Sequence, residues 1–401
     1  MYRDIKLQHT PATTGTLAIA FLLFGANAAM LRAYALFPAL VAHALVLRQT
    51  RPFRLLHRVL ASAFFLAIFY ASDGNAVWPT PILAALALPI AAELTRRRFV
   101  RAGLLFGVAI LFKQTAAYAL GLACIWVAAG QPTSDRLAAG RRPRDAVRLF
   151  LAGCAPYFAT LAVFAALGAG GEMLRWTFLV PFTIHPAIET FRPGFWTVAT
   201  LLAGFLPLAV QAARERRSES PEAVPSARAM LVVAAGFALI CYPRFDALQT
   251  VGAAPCLAVG AARLMSRSPR FLSTAAAAFA ATLAVSRGAV LAEGARFDGK
   301  VLFWNDEPAF ESLVARLRAL PRDTPLHSEL WGNVLPRAGL LPPGRIYEHP
   351  WFYWFFSVER LGERIREAAS RPGTVVVGYR GAHPGGEAVG PYAIARVGPV
   401  R

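Results

Sequence analysis

The sequence predicts a multi-span α-helical membrane protein that ends in a small α/β domain. Three observations carry this. Of its 401 residues, 56% are hydrophobic, far above what a soluble domain of this size needs for its core. The apolar residues fall into blocks of roughly 20, the length that crosses about 30 Å of hydrocarbon. Short arginine clusters recur between the blocks, as positive residues do on the cytoplasmic side of a membrane. The formal net charge of +19 does not point to nucleic acid, because it is divided among these clusters instead of gathered on one face or tail.

The apolar segments run at about 29–47, 56–71, 77–95, 99–112, 115–130, 147–168, 195–213, 228–243, 245–264 and 271–291. They predict about ten spans within a transmembrane domain at 28–294. Segment 13–25 is also apolar but short, which suits an interfacial helix within an N-terminal piece at 1–27. Five clusters orient the spans. They contain Arg48, Arg51, Arg54 and Arg58; Arg96, Arg97, Arg98 and Arg101; Arg136, Arg141, Arg142 and Arg144; Arg214, Arg216, Arg217 and Arg228; and Arg263, Arg267 and Arg270. Two crossings separate each cluster from the next, so all five fit the cytoplasmic side.

The opposite side then receives residues 1–12, "YASDGNAVWPTP" at 70–81, the turn around Lys113, the loop 169–194, and "YPRFDALQ" at 242–249. It also receives the chain from about 295 onward. In the first of these pieces, Arg3 and Lys6 oppose export of a free N-terminus. A preceding span would resolve the conflict, so the expectation is an upstream helix and loop ahead of this chain. No A-x-A-like cleavage site follows the first apolar run, so it does not read as a signal peptide. Cys124, Cys154, Cys241 and Cys256 lie within apolar blocks without paired spacing and read as small packing residues.

Residues 295–401 differ in kind. "NDEPAFESLVARLRAL" predicts an amphipathic helix with Asn305 as its cap and Pro308 in its first turn. "TPLHSEL", "GRIYEHP", "GTVVVGYR" and "PYAIARVG" predict short strands, and a second helix is expected over about 355–369. This order suits a small extracytoplasmic α/β domain. The aromatic run "HPWFYWFF" at 349–356 suits packing at the membrane interface. No nucleotide-binding glycine loop and no HExxH zinc motif occurs.

Few residues inside the apolar part can carry chemistry. Lys113 interrupts "GLLFGVAILFKQTAAYALGLACIW". A lysine at mid-bilayer costs about 2.5–3.5 kcal/mol, so it belongs at the junction of two short half-spans. There it either marks an exposed turn or meets a lipid phosphate, with Gln114 and Thr115 adding donors. Arg244 and Asp246 in "CYPRFDALQT" either pair with each other in a hairpin turn or face a substrate, with Gln249 available for hydroxyls. Arg32 starts its span on the same face and either snorkels or contacts an anion. Asp4 is the carboxylate of the N-terminal loop, and its weight comes from sharing a predicted face with Lys113 and Asp246.

These residues together resemble bacterial polyprenyl-phosphate-dependent glycosyltransferases of the GT-C fold, such as the dolichyl-phosphate-mannose protein mannosyltransferase and aminoarabinose transferase relatives. The resemblance lies in Tyr2-Arg3-Asp4, Pro11, Phe24-Gly25 and Arg32, in the Gly-rich span that ends at Lys113-Gln114-Thr115, and in the late "YPRFDALQTVGAAPCL" hairpin. In that hairpin Gln249 stands where the family often has histidine. The resemblance implies transfer of a sugar from a polyprenyl-phosphate carrier to a glycan, lipid or protein acceptor at the extracytoplasmic face of the bacterial inner membrane. It implies Lys113, Arg244 and Arg32 as donor-phosphate ligands, and Gln114, Asp246 and Gln249 as substrate contacts. Asp4 becomes a secondary acid, because the family's main acidic motif precedes the Tyr-Arg-Asp segment. No metal constellation is visible in the sequence, although some relatives use a divalent cation. The competing reading is a non-catalytic polytopic protein, either a lipid flippase or transporter or a degenerate scaffold. A relay through the membrane has only His43 and Glu93 to draw on.

Overall fold

The computed structural model describes residues 11–25, 28–71, 79–130, 136–179, 195–215, 224–241, 247–267, 307–330, 334–340, 367 and 369–398. The chain divides into two compact units. One is helical and holds the described residues from Pro11 to Val163 and from Phe195 to Arg267. The other holds the described segment from Phe164 to Leu179 and the C-terminal residues.

The helical unit begins with α1 (Pro11–Phe24), α2 (Ala28–Thr50), α3 (Leu55–Ala71), α4 (Thr80–Thr95), α5 (Phe99–Phe112), α6 (Ala117–Ala129) and α7 (Arg136–Ala166). In the other unit a short α8 (Gly170–Leu174) runs into a π turn. The helical unit continues with α9 (Phe195–Arg214), α10 (Ala227–Ala238), a 3-10 stretch at Ala247–Ala253 and α11 (Ala254–Arg267). The order of helices follows the predicted blocks, but their lengths do not. Two described stretches, Ala29–Thr50 and Arg142–Ala166, are long and apolar enough to cross a membrane. Five of the others have lengths of 12–17 residues, so each reaches only about 18–26 Å at 1.5 Å per residue. These five helices are shorter than the roughly 20 residues that span a bilayer, and α5 and α6 among them are as short as the half-spans expected on either side of Lys113. Helix α5 stops where a polar residue interrupts the apolar run, at Lys113. The expected span at 271–291 lies outside the described residues.

Glycines let two of these helices touch. A Cβ on Gly103 would stand 2.5 Å from the Leu149 carbonyl oxygen, and one on Gly107 would stand 2.6 Å from that of Gly153. The four-residue spacing puts both glycines on one face of α5. Residue numbers on α5 and α7 rise together along this seam, so the two helices run parallel. The Leu120 side chain packs on Gly153, and the Cys124 thiol donates to the Ala146 carbonyl at 3.7 Å. Helix α6 therefore runs antiparallel to α7, and α5–α6 forms a hairpin with Lys113 at its tip.

Helices α4 and α10 define the two ends of the unit. Gly236 near the end of α10 lies against Ala119, close to the hairpin tip. At its other end the Ser226 amide donates to Thr95 Oγ1 at 2.9 Å. Helix α11 is buried along most of its length, and small residues, four alanines and a glycine among its 14, let its neighbours pack closely. On the outside, Phe37 and Leu40 of α2 and Leu151, Phe158 and Val163 of α7 are exposed, which is the arrangement hydrocarbon permits. Helix α1 buries no residue, and its end exposes Leu22, Leu23 and Phe24.

The C-terminal residues form a four-stranded mixed sheet of β1 (Leu326–Ser328), β2 (Val375–Tyr379), β3 (Glu387–Val389) and β4 (Tyr392–Arg396), in the order β1-β2-β4-β3. Strands β1 and β2 are parallel and the other pairs antiparallel. Helix α12 (Pro308–Arg318) presents Phe310, Leu313, Val314 and Leu317 to a core with Leu326, Val375, Val377 and Tyr392. Those helix positions follow the i, i+3, i+4, i+7 pattern of one buried face. Pro308 opens α12 as expected, but the cap position belongs to Glu307 and not Asn305. A proline at the first helical position makes the residue before it the cap. Strand β3 and the short α13 (Val334–Ala338) are additions to the expected elements. The expected strand in "GRIYEHP" lies outside the described residues, as does nearly all of the helix at 355–369.

Candidate functional site

Lys113 ends α5 in an extended conformation, with φ −149° and ψ 111°. Its amide donates to Ala109 O at 2.8 Å, and its carbonyl accepts from the Ala116 amide at 2.9 Å. One extended residue between a helix and the 3-10 turn Gln114–Ala116 is what reverses the chain into α6. The side chain is not an exposed turn residue: Lys113 is 9% exposed. Its Nζ donates to Thr80 Oγ1 at 3.4 Å, and Thr80 is fully buried in the first turn of α4. Gln114 is buried beside it. Thr115 Oγ1 is also buried and has no hydrogen-bond partner among the described residues.

Helices α1 and α2 close on the same end. The Thr13 hydroxyl donates to Phe112 O at 3.0 Å, one residue before Lys113. The hydroxyls of Thr16 and Tyr34 lie 2.7 Å apart, and the Tyr34 hydroxyl reaches Thr13 O at 3.4 Å. Arg32, two residues before Tyr34, is exposed. Gln249 belongs to the 3-10 stretch Ala247–Ala253. Gly252 of that stretch abuts Leu83 and Phe237, which places its backbone near the first turn of α4. Asp4, Arg244 and Asp246 lie outside the described residues.

The structure thus brings Lys113 to Thr80 and the Thr13 hydroxyl to the neighbouring Phe112 carbonyl, with Thr16 and Tyr34 bonded to Thr13; no motif in the sequence marks these four residues. Thr80 was legible only as a threonine between two prolines at the start of an apolar block. Its partner lies 33 residues away, beyond the reach of any spacing rule. Chemically, a buried ammonium among hydroxyl and amide groups at the end of a low-dielectric bundle is a place for an anionic oxygen. Among the described residues, no group of three His, Cys, Asp or Glu is placed to hold a metal ion.

The opposite end is built differently. The Glu215 carboxylate accepts from Arg263 Nη1 at 3.2 Å and from the amides of Ala227 at 3.0 Å and Arg228 at 3.2 Å. Arg228 donates to the carbonyls of Ala212 and Glu215 at 2.9 and 3.1 Å. Arg96 and Arg98 flank Glu93 at the end of α4.

No protein-family model and no curated protein matches the sequence. Solved structures do match. ArnT from Cupriavidus metallidurans, bound to undecaprenyl phosphate, superposes with a TM-score of 0.58 at 14% identity, over 98% of this chain and 89% of that one. The same protein in its apo state gives 0.57 at 14% identity, over 97% and 87%. An oligosaccharyltransferase from Archaeoglobus fulgidus gives 0.49 at 14% identity, over 93% and 61%. This chain therefore has the multi-helical membrane fold of ArnT, the GT-C fold that its sequence motifs resemble.

Proposed function

We propose that this protein is an integral membrane glycosyltransferase that moves a sugar from a polyprenyl-phosphate carrier to an acceptor at the extracytoplasmic face of the inner membrane. The observation that carries the reading is the Lys113 ammonium, buried beside Thr80 at the tip of the α5–α6 hairpin. That tip lies at the end of the bundle opposite the Glu215–Arg263 network. The ArnT structure of the same fold is bound to undecaprenyl phosphate, which supports the same class of carrier here.

The reaction is a single displacement. The bond between the sugar's anomeric carbon and the carrier phosphate breaks, and a bond to the acceptor oxygen forms. The acceptor proton passes to a carboxylate, for which Asp4 is the candidate on this chain. Lys113 stabilises the charge that collects on the departing phosphate. Arg32 and Arg244 assist it, with Arg32 contributing less because solvent screens its exposed side chain. Gln114, Asp246 and Gln249 contact the sugar or acceptor hydroxyls. Residues 295–401 are assigned to an extracytoplasmic domain.

The test is binding of undecaprenyl phosphate to the purified chain in lipid nanodiscs. Lys113→Ala should weaken that binding at least tenfold while helix content stays unchanged. Undiminished binding in this variant would remove the phosphate role and the reading with it.

A further inference from the structure

The peptide that leads into Lys113 is bonded at both of its polar ends. Its amide, on Lys113, donates to the Ala109 carbonyl at 2.8 Å and completes the last turn of α5. Its carbonyl, on Phe112, lies at the end of that helix, where carbonyls have no later amide of the same helix to accept from. The Thr13 hydroxyl fills this place at 3.0 Å, from a residue 99 positions earlier in the chain. Thr13 therefore caps α5 from outside it. Two hydrogen bonds in opposite directions set the plane of this rigid unit. That plane sets the direction in which the extended Lys113 backbone leaves the helix.

Helix α1 is built to deliver this cap. Thr50, Thr95 and Thr160 each turn their hydroxyl back onto the carbonyl four residues earlier, at 2.7–2.8 Å, the usual outlet for a threonine within a helix. Thr13 stands in the first turn of α1, too near its start to have such a carbonyl in its own helix, so its hydroxyl reaches α5 instead. The turn that carries it is steadied by two further hydroxyls. Thr16 donates to the Ala12 carbonyl at 2.6 Å and lies 2.7 Å from the Tyr34 hydroxyl of α2, which donates to the Thr13 carbonyl at 3.4 Å. Core packing does not hold α1 in place: it buries no residue, and Leu22, Leu23 and Phe24 at its other end are exposed.

We propose that Thr13 is a positioning residue for phosphate recognition, acting through the Phe112–Lys113 peptide. The inference rests on the reading of Lys113 as the carrier-phosphate ligand. It concerns the Lys113 backbone and holds whatever else the side chain meets.

The experiment compares undecaprenyl phosphate with undecaprenol, its neutral parent, for binding to the full chain in nanodiscs. The ratio of the two affinities isolates what the phosphate contributes. A general loss of packing lowers both affinities and leaves the ratio in place. Thr13→Val, which keeps the shape and removes the hydroxyl, should lower the ratio about fivefold, the scale of one hydrogen bond. Thr13→Ser keeps a hydroxyl donor and should stay within about twofold of the parent. Tyr34→Phe removes a long, weak bond to α1 and leaves the Phe112 carbonyl capped, so it should also stay within about twofold. If the valine variant does not fold, Thr13→Ala is read in its place; α1 buries no residue, so alanine there opens no core cavity. An unchanged ratio in Thr13→Val, a serine variant as poor as valine, or a Tyr34→Phe variant as poor as valine each overturns the role of Thr13. Lys113→Ala separates the two levels. If its ratio matches the parent, the functional reading fails. If its ratio collapses while that of Thr13→Val does not, only the positioning role fails.

Discussion

The two ends of the helical unit bury charge in opposite ways. At the Arg263 end, Glu215 and Arg263 are 11% and 12% exposed and pair directly, and backbone amides donate to both carboxylate oxygens. At the Lys113 end, a buried cation leans on a neutral hydroxyl. Desolvating an ion is costly wherever it happens. The first end recovers that cost by ion pairing and hydrogen bonding, which ties Glu215 and the start of α10 to α11 and α4. At the second end the contact shown to Lys113 comes from a threonine hydroxyl, Thr80 Oγ1. The contrast sets a fastening apart from the proposed binding position within one bundle.

The comparison can be broken most directly at Lys113. Lys113→Ala should reduce transfer from a polyprenyl-phosphate sugar roughly 100–1,000-fold, the scale seen when one donor to a developing negative charge is removed. Melting behaviour should hardly change. Turnover assays beside thermal melts check both halves, and a large loss of stability with little loss of turnover would reverse the assignment of the two ends.

The mirror experiment is Glu215→Ala. It strands Arg263 and two amide donors in a buried place, so it should destabilise the folded protein by about 3–5 kcal/mol. Phosphate-to-undecaprenol discrimination should persist in whatever folds. Discrimination that disappears with the ion pair would mean that the two ends are not separable.

A smaller effect should come from the α5–α7 seam that supports the hairpin. Gly107→Ala puts a methyl group 2.5 Å from the Pro156 ring and 2.6 Å from the Gly153 carbonyl oxygen. Overpacking of this kind costs about 1–3 kcal/mol. Denaturation of the variant in detergent measures it, and an alanine tolerated without cost would show that the seam can open.

The smallest effect concerns the C-terminal sheet. His327 on β1 is held below the usual histidine range, chiefly by burial. The nearby His383 adds to this and Glu329 opposes it. His327 is therefore neutral in the fold and takes up a proton more readily when unfolded. Its contribution leaves stability intact above about pH 6.5 and erodes it as pH falls through the unfolded value. His383 and Glu329 pair at 2.8 Å, and they act on the same strand edge. Hydrogen exchange of the β1–β2 amides in the full chain should speed up between pH 7.5 and 5.5, and His327→Asn should flatten that dependence.

Much of this was legible in the sequence. Blocks of apolar residues and the arginines between them gave the order of the helices, and an isolated lysine in an apolar run located the hairpin tip at Lys113. The proline in "DEPAFESLVARL" and its 3.6-residue period gave α12. Helix lengths were not legible, because apolar composition does not say where a helix stops when the next residues are also apolar. The stretch 245–264 read as one span, yet it is a 3-10 stretch followed by α11. Strand β3, only three residues long, has no periodicity to detect. Its place is set by pairing with β4.

By itself the sequence determined that this chain belongs in a membrane, roughly how its helices follow one another, and that Lys113 had to sit at a helix junction. Those follow from hydropathy and from the cost of burying one charge, both of which are local. Only the tertiary structure decided that Thr80 meets Lys113, that Glu215 meets Arg263, and that α5 runs parallel to α7. Each of these joins residues from separate helices, and what selects them is close packing and the need to satisfy buried polar groups across the bundle.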